Sequence, residues 1–287
     1  MKISAIDIGS NSVRLAIFEG GKTLYKRLCT TRLGEGLDKS GKISPEATER
    51  TALAVKDFYL AAESEGAEKV YAFATAAVRS ASNGVQFVNR VKELCGLEIC
   101  VLSGEEEAEC GILGALGHSD GGIIDIGGAS TEVTVRSNGK TVYAKSVNIG
   151  AVRLFDGAGR DRVALRKIID EKVAEFGKFN ASGFKMYAIG GTATRLASVK
   201  HDLKEYKPEI TDGTTLSLSE VDGLATRLLT DSVEHIKSTT ICGKSSEIMG
   251  GGTLLLSAIM RAFNIDGVTV SEKDNLEGFV ILREGRL

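Results

Sequence analysis

The stretch that decides the fold is Ile123-Ile124-Asp125-Ile126-Gly127-Gly128-Ala129-Ser130-Thr131-Glu132. An apolar run ends in a carboxylate and two glycines, and two hydroxyls then lead to a second carboxylate. This pattern predicts two strands joined by a tight turn, because glycine lets the backbone turn sharply and approach a ligand closely. Successive N–H groups in such a turn form an anion-binding nest, and the carboxylates add capacity to bind a metal or orient water. The stretch therefore predicts a site for a phosphate–metal complex.

The same layout occurs near the N-terminus, in Ile6-Asp7-Ile8-Gly9-Ser10-Asn11-Ser12-Val13. Two further matches follow in the same order and at nearly the same spacing. They are Gly21-Lys22-Thr23-Leu24-Tyr25 with Gly139-Lys140-Thr141-Val142-Tyr143, and Tyr71-Ala72-Phe73 with Tyr187-Ala188-Ile189. Chance similarity between short glycine hairpins would explain a single match. Three matches in the same order and at nearly the same spacing are harder to explain in that way, so the sequence predicts a duplicated domain.

Composition narrows the class of protein. A chain of 287 residues with 43% hydrophobic and 26% charged residues predicts a globular protein of about two domains. The net charge of −2 and the lack of a basic run argue against nucleic-acid or membrane-surface partners. No apolar segment predicts a membrane span, and an acid at position 7 argues against a signal peptide. Five cysteines without a C-x-x-C pair indicate reduced thiols in a cytoplasmic protein, and three scattered histidines argue against a zinc site.

Other motifs mark helix starts and a second candidate phosphate cradle. Ser103-Gly104-Glu105-Glu106-Glu107-Ala108 opens a helix, and its acids have two readings. They serve the positive end of the helix dipole, or one of them faces a cleft between domains. Gly190-Gly191-Thr192 precedes a helix and can cradle phosphate. Ser219-Glu220-Val221-Asp222 predicts a capping box for a helix reaching about His235, and Gly250-Gly251-Gly252 is expected to precede a buried helix.

Five stretches in order resemble the exopolyphosphatase and guanosine pentaphosphate phosphohydrolase family. This family lies within the acetate kinase, sugar kinase, heat-shock chaperone and actin superfamily. The stretches are Ile6–Leu15, Ala74–Arg79, Ser103–Ala108, Asp125–Glu132 and Gly190–Thr194. They cover almost the whole chain, and together they are far more specific than Gly-Gly-Thr alone.

The resemblance implies an α/β fold: two ribonuclease-H-like domains of duplicated topology with an interdomain cleft. The domains are expected at residues 1–118 and 119–275, with a C-terminal helix at about 276–287 packing back on the first. The resemblance also implies Mg²⁺-dependent hydrolysis of a terminal phosphoanhydride. The family's catalytic glutamate falls on Glu107, its acids around the glycine turn fall on Asp125 and Glu132, and Arg79 matches an arginine near the substrate phosphates.

The residue types suit that chemistry. A glutamate can act as the general base that activates water, and the phosphate charge calls for backbone N–H groups, a metal and a cation. Asp125 and Glu132 can hold Mg²⁺ or the attacking water. Without the resemblance, Arg79 would be read as a solvated residue at a helix end. The predicted phosphate-binding residues are Asn11, Ser12, Arg79, Gly127, Gly128, Ser130, Thr131, Gly191 and Thr192.

The chain departs from the family pattern in three places. Ala129 replaces a common third glycine, Glu109 stands where an arginine is usual, and no arginine precedes Glu277-Gly278. Two fewer cations argue against a strong grip on long polyphosphate. The expected substrate is polyphosphate or guanosine pentaphosphate, and the oligomeric state stays open with a homodimer as the candidate. The alternatives are an ATP-dependent kinase of the same superfamily and a non-catalytic phosphate or nucleotide sensor.

Overall fold

The two glycine turns each join the first two strands of a separate sheet. The structure, a computed structural model, describes the backbone of residues 1–287 and every side chain except those of Asp38 and Lys244. Its contacts divide the chain into two compact units, Met1–Gly114 with Asn275–Leu287, and Ala115–Asp274. Across the described residues, no helix combines the length and the apolar character needed to cross a membrane.

The first unit is built on five strands in the order β3-β2-β1-β4-β5. The strands are β1 (Lys2–Ile8), β2 (Ser12–Glu19), β3 (Lys22–Thr30), β4 (Lys69–Ala74) and β5 (Cys100–Val101). The first three form an antiparallel meander, and β4 and β5 run parallel to β1. The helices are α1 (Leu37–Ser40), α2 (Pro45–Ser64), α3 (Ala76–Ser80), α4 (Gly84–Cys95) and α5 (Gly104–Leu116).

The second unit repeats this plan with one more strand, in the order β10-β11-β9-β6-β7-β8. The strands are β6 (Gly121–Ile126), β7 (Thr131–Ser137), β8 (Lys140–Val147), β9 (Met186–Ile189), β10 (Thr215–Ser217) and β11 (Gly267–Val270). The helices are α6 (Ala151–Ala158), α7 (Arg162–Ala174), α8 (Gly190–Lys200), α9 (Pro208–Thr211), α10 (Leu218–Thr230), α11 (Val233–Thr239) and α12 (Ser246–Ala262).

The two sheets share one topology. An antiparallel meander of three strands is followed by a strand parallel to the first, as β3-β2-β1-β4 in one unit and β8-β7-β6-β9 in the other. Both hairpins occupy the same place in their sheets. The prediction of an α/β fold with duplicated topology is therefore confirmed.

The last helix, α13 (Asn275–Glu284), belongs to the first unit. The ring of Phe279 stacks on Phe73 of β4 with centroids 4.6 Å apart, and Leu276 and Val280 are fully buried beside it. Gly278 lies so close to α5 that a Cβ there would stand 1.7 Å from the carbonyl oxygen of Cys110. The helix is thus fastened against the backbone of α5.

Two helix predictions in the second unit were wrong in detail. The capping box is formed by Ser217 and Glu220 rather than by Ser219 and Asp222, and the helix ends at Thr230, not near His235. The cause is the edge strand β10, which leaves the sheet at Ser217 in the extended conformation that suits an N-cap. The three glycines 250–252 lie inside α12 instead of before it. Gly252 allows close packing, because its Cβ would meet Ala151 and Thr192 at 3.2 Å.

Candidate active site

The parallel strands of the first unit bring three segments that contain predicted site residues to one edge of its sheet. Ile8 pairs with Ala74, and Ala74 pairs with Val101, so the carboxyl ends of β1, β4 and β5 lie side by side. The glycine turn at 9–12 follows β1, α3 with Arg79 follows β4, and α5 with Glu107 follows β5. In open α/β sheets this edge is where ligands bind.

The turn after β1 is closed by backbone atoms. Gly9 N–H donates to the carbonyl oxygen of Ser12 at 3.0 Å, and a Cβ on Gly9 would stand 3.2 Å from that oxygen. The carbonyl of Asn11 accepts from the N–H groups of Thr31 and Arg32 at 3.0 and 2.9 Å. Asn11 and Ser12 are half-buried at this edge.

The three glutamates that open α5 occupy different environments. Glu106 forms a capping box with Ser103, accepting from its N–H at 2.8 Å and donating its own N–H to Oγ at 3.1 Å. The backbone and side-chain hydrogen bonds from Ser103 hold the pKa of the Glu106 carboxyl below its usual value. Glu105 is exposed, whereas Glu107 is 6% exposed. The helix-start reading thus describes Glu106, and Glu107 is the buried acid of the three.

Glu107 is held by Arg79. The Nη1 of Arg79 donates to Glu107 Oε2 at 2.9 Å and to the carbonyl oxygen of Leu102 at 2.7 Å. Arg79 is therefore a partly buried residue bonded to Glu107, and not a solvated helix end. The predicted base and the predicted phosphate-binding cation are direct neighbours.

The turn of the second unit is closed in the same way. Gly127 N–H donates to the carbonyl oxygen of Ser130 at 3.0 Å. The first residues of α6 lie on this turn: the N–H groups of Ala151 and Val152 donate to the carbonyls of Gly127 and Gly128, both at 2.9 Å. Gly127 and Gly128 are half-buried and Ser130 is buried.

Asp125 and Glu132 face each other directly across β6 and β7 and are 7% and 1% exposed. Directly opposed residues in an antiparallel pair lie on the same face of the sheet. Ser146 on β8 donates its hydroxyl to Glu132 Oε1 at 2.5 Å. In the first unit the matching positions hold Asp7 and Arg14, which form a salt bridge. The duplicated hairpins therefore carry an acid pair in one copy and an acid–cation pair in the other.

The glycine pair after β9 lies next to Asp125. Gly190 has a positive φ of 79°, and a Cβ there would stand 2.6 Å from Asp125 Oδ1, so only glycine fits without strain. Gly191 is half-buried in the first turn of α8. The hydroxyl of Thr192 donates to the carbonyl oxygen of Ile126 at 3.2 Å and ties α8 to β6.

The hydroxyl of Thr131 is also used within the fold. It donates to the carbonyl oxygen of Ile149 at 2.6 Å, and the residue is fully buried. Sequence reasoning overlooked Arg195, whose Nη1 donates to the carbonyl of Gly191 at 3.1 Å, and Arg153, whose Nε donates to the carbonyl of Ala129 at 2.9 Å. The helical spacing from Gly191 to Arg195 was the available signal for the first.

The donor set at Asp125 and Glu132 is chemically suited to a hard cation. Carboxylate oxygens are the ligands that Mg²⁺ prefers, and Mg²⁺ usually keeps several waters with one or two carboxylates plus substrate phosphates. Among the described residues, no group of three or more His, Cys, Asp or Glu side chains is placed to hold a metal ion. The two acids therefore fit a site that is completed by water and substrate better than a closed protein cage.

The fold places the chain in the superfamily of duplicated ribonuclease-H-like domains. The structure of an exopolyphosphatase-like protein is 25% identical and superposes with a TM-score of 0.86 over 98% of both chains. Within that class, the chain belongs to the Ppx/GppA phosphatase family, which it matches over residues 15–285. The resemblance found in the motifs is thereby confirmed.

Two relatives differ in how much of their length the chain covers. Exopolyphosphatase 2 of Mycobacterium tuberculosis is 27% identical over 99% of both proteins. A bifunctional 3-dehydroquinate synthase/phosphatase of Fusobacterium nucleatum is 29% identical over 97% of this chain, which spans 46% of that protein. The chain thus corresponds to about half of the second relative and to nearly all of the first.

Proposed function

We propose that the protein hydrolyses the terminal phosphoanhydride of inorganic polyphosphate, guanosine pentaphosphate or both. The observation that carries this proposal is the family match over residues 15–285, which includes all but the first 14 and the last two residues. A relative named exopolyphosphatase that is covered along its whole length supports the substrate class.

Glu107 is the group that we assign to water activation. Its carboxylate accepts a proton from water while the water oxygen bonds to the terminal phosphorus. The bridging P–O bond then breaks, which leaves orthophosphate and a chain shorter by one phosphate. The burial of Glu107 and its bond to Arg79 support this role, since a general base must be held in a fixed place.

The glycine turns and their neighbours are assigned to the phosphates. Backbone N–H groups around Asn11, Ser12, Gly127 and Gly128 supply donors without a charge of their own. The remaining assigned residues are Arg79, Ser130, Thr131, Gly191 and Thr192.

Asp125 and Glu132 are the residues that would hold Mg²⁺, directly or through water. The bound ion would neutralise phosphate charge and polarise the anhydride oxygen. The two carboxylates would orient the waters that complete the site. The carboxylate of Glu132 is itself held by the Ser146 hydroxyl, which donates to Oε1.

The test is a survey of phosphate release. Purified protein is assayed on polyphosphates of several lengths, guanosine pentaphosphate and ATP, each with Mg²⁺ and with chelator. Mg²⁺-dependent release from the first two, abolished in Glu107→Gln, supports the proposal. No release from any anhydride would overturn it in favour of a sensor, and transfer from ATP to an acceptor would favour the kinase alternative.

A further inference from the structure

We propose that Arg79 holds the catalytic base and a substrate phosphate at the same time, with separate parts of its guanidinium for each. It is then a positioning residue for Glu107 as well as a phosphate ligand. The inference rests on the proposed function and adds a physical link between two residues that the motifs assign separately.

The first observation is how Arg79 uses its donors. A guanidinium carries five N–H donors, two on each Nη and one on Nε. The two acceptors contacted by Nη1, Glu107 Oε2 at 2.9 Å and Leu102 O at 2.7 Å, account for both of its N–H groups. Leu102 directly follows β5, so a residue at the edge of the sheet anchors this nitrogen.

The second observation is the remaining edge. Within the part of the chain that the structure describes, no acceptor contacts Nε or Nη2 of Arg79. The side chain is 26% exposed, so part of it is accessible to a ligand from solvent. Nε and Nη2 present two parallel N–H groups, the geometry that binds two oxygens of a carboxylate or phosphate.

Another arginine of the first unit binds a carboxylate through its Nε and Nη2. Arg90 on α4 binds the carboxylate of Glu49 on α2 through Nε and Nη2, both at 2.9 Å. The Nη1 of Arg90 also contacts an acid, Glu93 Oε2 at 3.4 Å, so one guanidinium of this unit binds two acidic side chains. Arg79 differs because, among the described residues, both of its acceptors are bound by Nη1 and none by Nε or Nη2. An oxyanion on the open edge would therefore share one rigid plane with the carboxylate of Glu107.

This geometry distinguishes arginine from lysine at position 79. A lysine ammonium is a single point of charge and cannot hold Leu102, Glu107 and two phosphate oxygens in fixed directions. Misplacing a catalytic group by about 1 Å can cost about 10²-fold in rate. Arg79→Lys should therefore lower kcat by about 10²-fold and raise KM about tenfold, although the charge is kept.

The test combines Arg79→Lys, Arg79→Gln, Glu107→Gln and the two double variants, assayed on tripolyphosphate with Mg²⁺. The matched control is Arg90→Lys, which removes a bidentate arginine of the same unit outside the site. We expect the control to keep both kinetic constants. In the double variants the kcat losses should not add, because Arg79 acts on turnover through Glu107, whereas the KM increase should remain.

Two simpler roles predict other results. If Arg79 only binds phosphate, KM rises, kcat is kept, and the effects add in the double variants. If it only braces the fold, kcat falls at an unchanged KM. Either result overturns the inference while leaving the proposed function in place, whereas a wild type that releases phosphate from neither polyphosphate nor guanosine pentaphosphate overturns the function itself. If Arg79→Gln does not fold, the Arg79→Lys series carries the same comparison.

Discussion

The contact between α13 and α5 makes a strong prediction for Gly278→Ala. The added Cβ would stand 1.7 Å from the carbonyl oxygen of Cys110 and 2.5 Å from its carbon. Real Cβ contacts are essentially never under 3.0 Å, so the two atoms must separate by more than 1 Å. Because the obstacle is backbone, no side-chain rotation relieves it, and the whole helix has to move.

The cost follows from what α13 buries. Leu276, Phe279 and Val280 are 0%, 3% and 0% exposed. Each contributes about 1.5–3 kcal/mol by burial, and a gap of about 0.5–1 Å forfeits about a quarter to a half of such contacts. The loss is therefore about 1–4 kcal/mol, offset by about 1 kcal/mol because alanine favours the helix. We expect a net destabilisation of about 2 kcal/mol.

Thermal and urea unfolding, followed by circular dichroism, measure this cost. For a protein of this size about 2 kcal/mol lowers Tm by about 4–8 °C. The control is Gly223→Ala inside α10, where no heavy atom lies within 4 Å of the added Cβ. It should stabilise by up to about 1 kcal/mol. Equal or greater stability of Gly278→Ala relative to wild type would refute the packing argument.

Three further predictions concern the acids. Glu107→Gln should lower turnover by about 10²–10⁴-fold because it cannot accept a proton, whereas the exposed Glu105→Gln should keep it. Equal losses at saturating substrate would contradict catalysis by Glu107. Asp125→Asn should weaken both turnover and Mg²⁺ activation, and an unchanged Mg²⁺ titration would remove Asp125 from the site. The Lys200 side chain is the largest of the influences that lower the pKa of Glu220 from 4.5 to about 2. The ionised Glu220 carboxylate therefore stabilises the fold above pH 4.5, and this stabilisation is lost as the pH falls toward 2. Glu220→Gln should flatten that part of the stability curve measured by urea unfolding, and a curve parallel to wild type would count against this origin.

The sequence was most informative where one local pattern decides the structure. Ser44-Pro45 is a sequence pattern that begins helices, and Ser44 Oγ accepts from the N–H of Ala47 at 3.1 Å with Pro45 in the first turn of α2. The glycine hairpins also formed as expected, since their period-2 apolar runs and turn residues point to the same structure. In these places the conformational preferences of the residues and the hydrophobic pattern predict the same structure.

The failures arose where neighbours in space decide. The glycines 250–252 look like a loop, yet they lie within α12 because a helix packed closely against other elements benefits from small side chains. The pairing of Arg79 with Glu107 depends on β4 and β5 being adjacent parallel strands, a fact that no local pattern contains. Asp7 and Arg14 were predictable in principle, because they occupy the same hairpin positions as Asp125 and Glu132.

The way in which the two glycine turns are closed leaves the side chains of the two hairpins free to differ. Gly9 to Ser12 and Gly127 to Ser130 are joined through main-chain atoms at the same 3.0 Å. The shape of each turn is thus set by backbone hydrogen bonds, so the side chains that face each other across the strands can differ without a change in the turn. The hairpin of the first unit carries the ion pair of Asp7 and Arg14, and the hairpin of the second unit carries Asp125 opposite Glu132. One backbone form therefore presents opposite charges in the first unit and like charges in the second, so the charge that a hairpin offers to a ligand can change while its shape is kept.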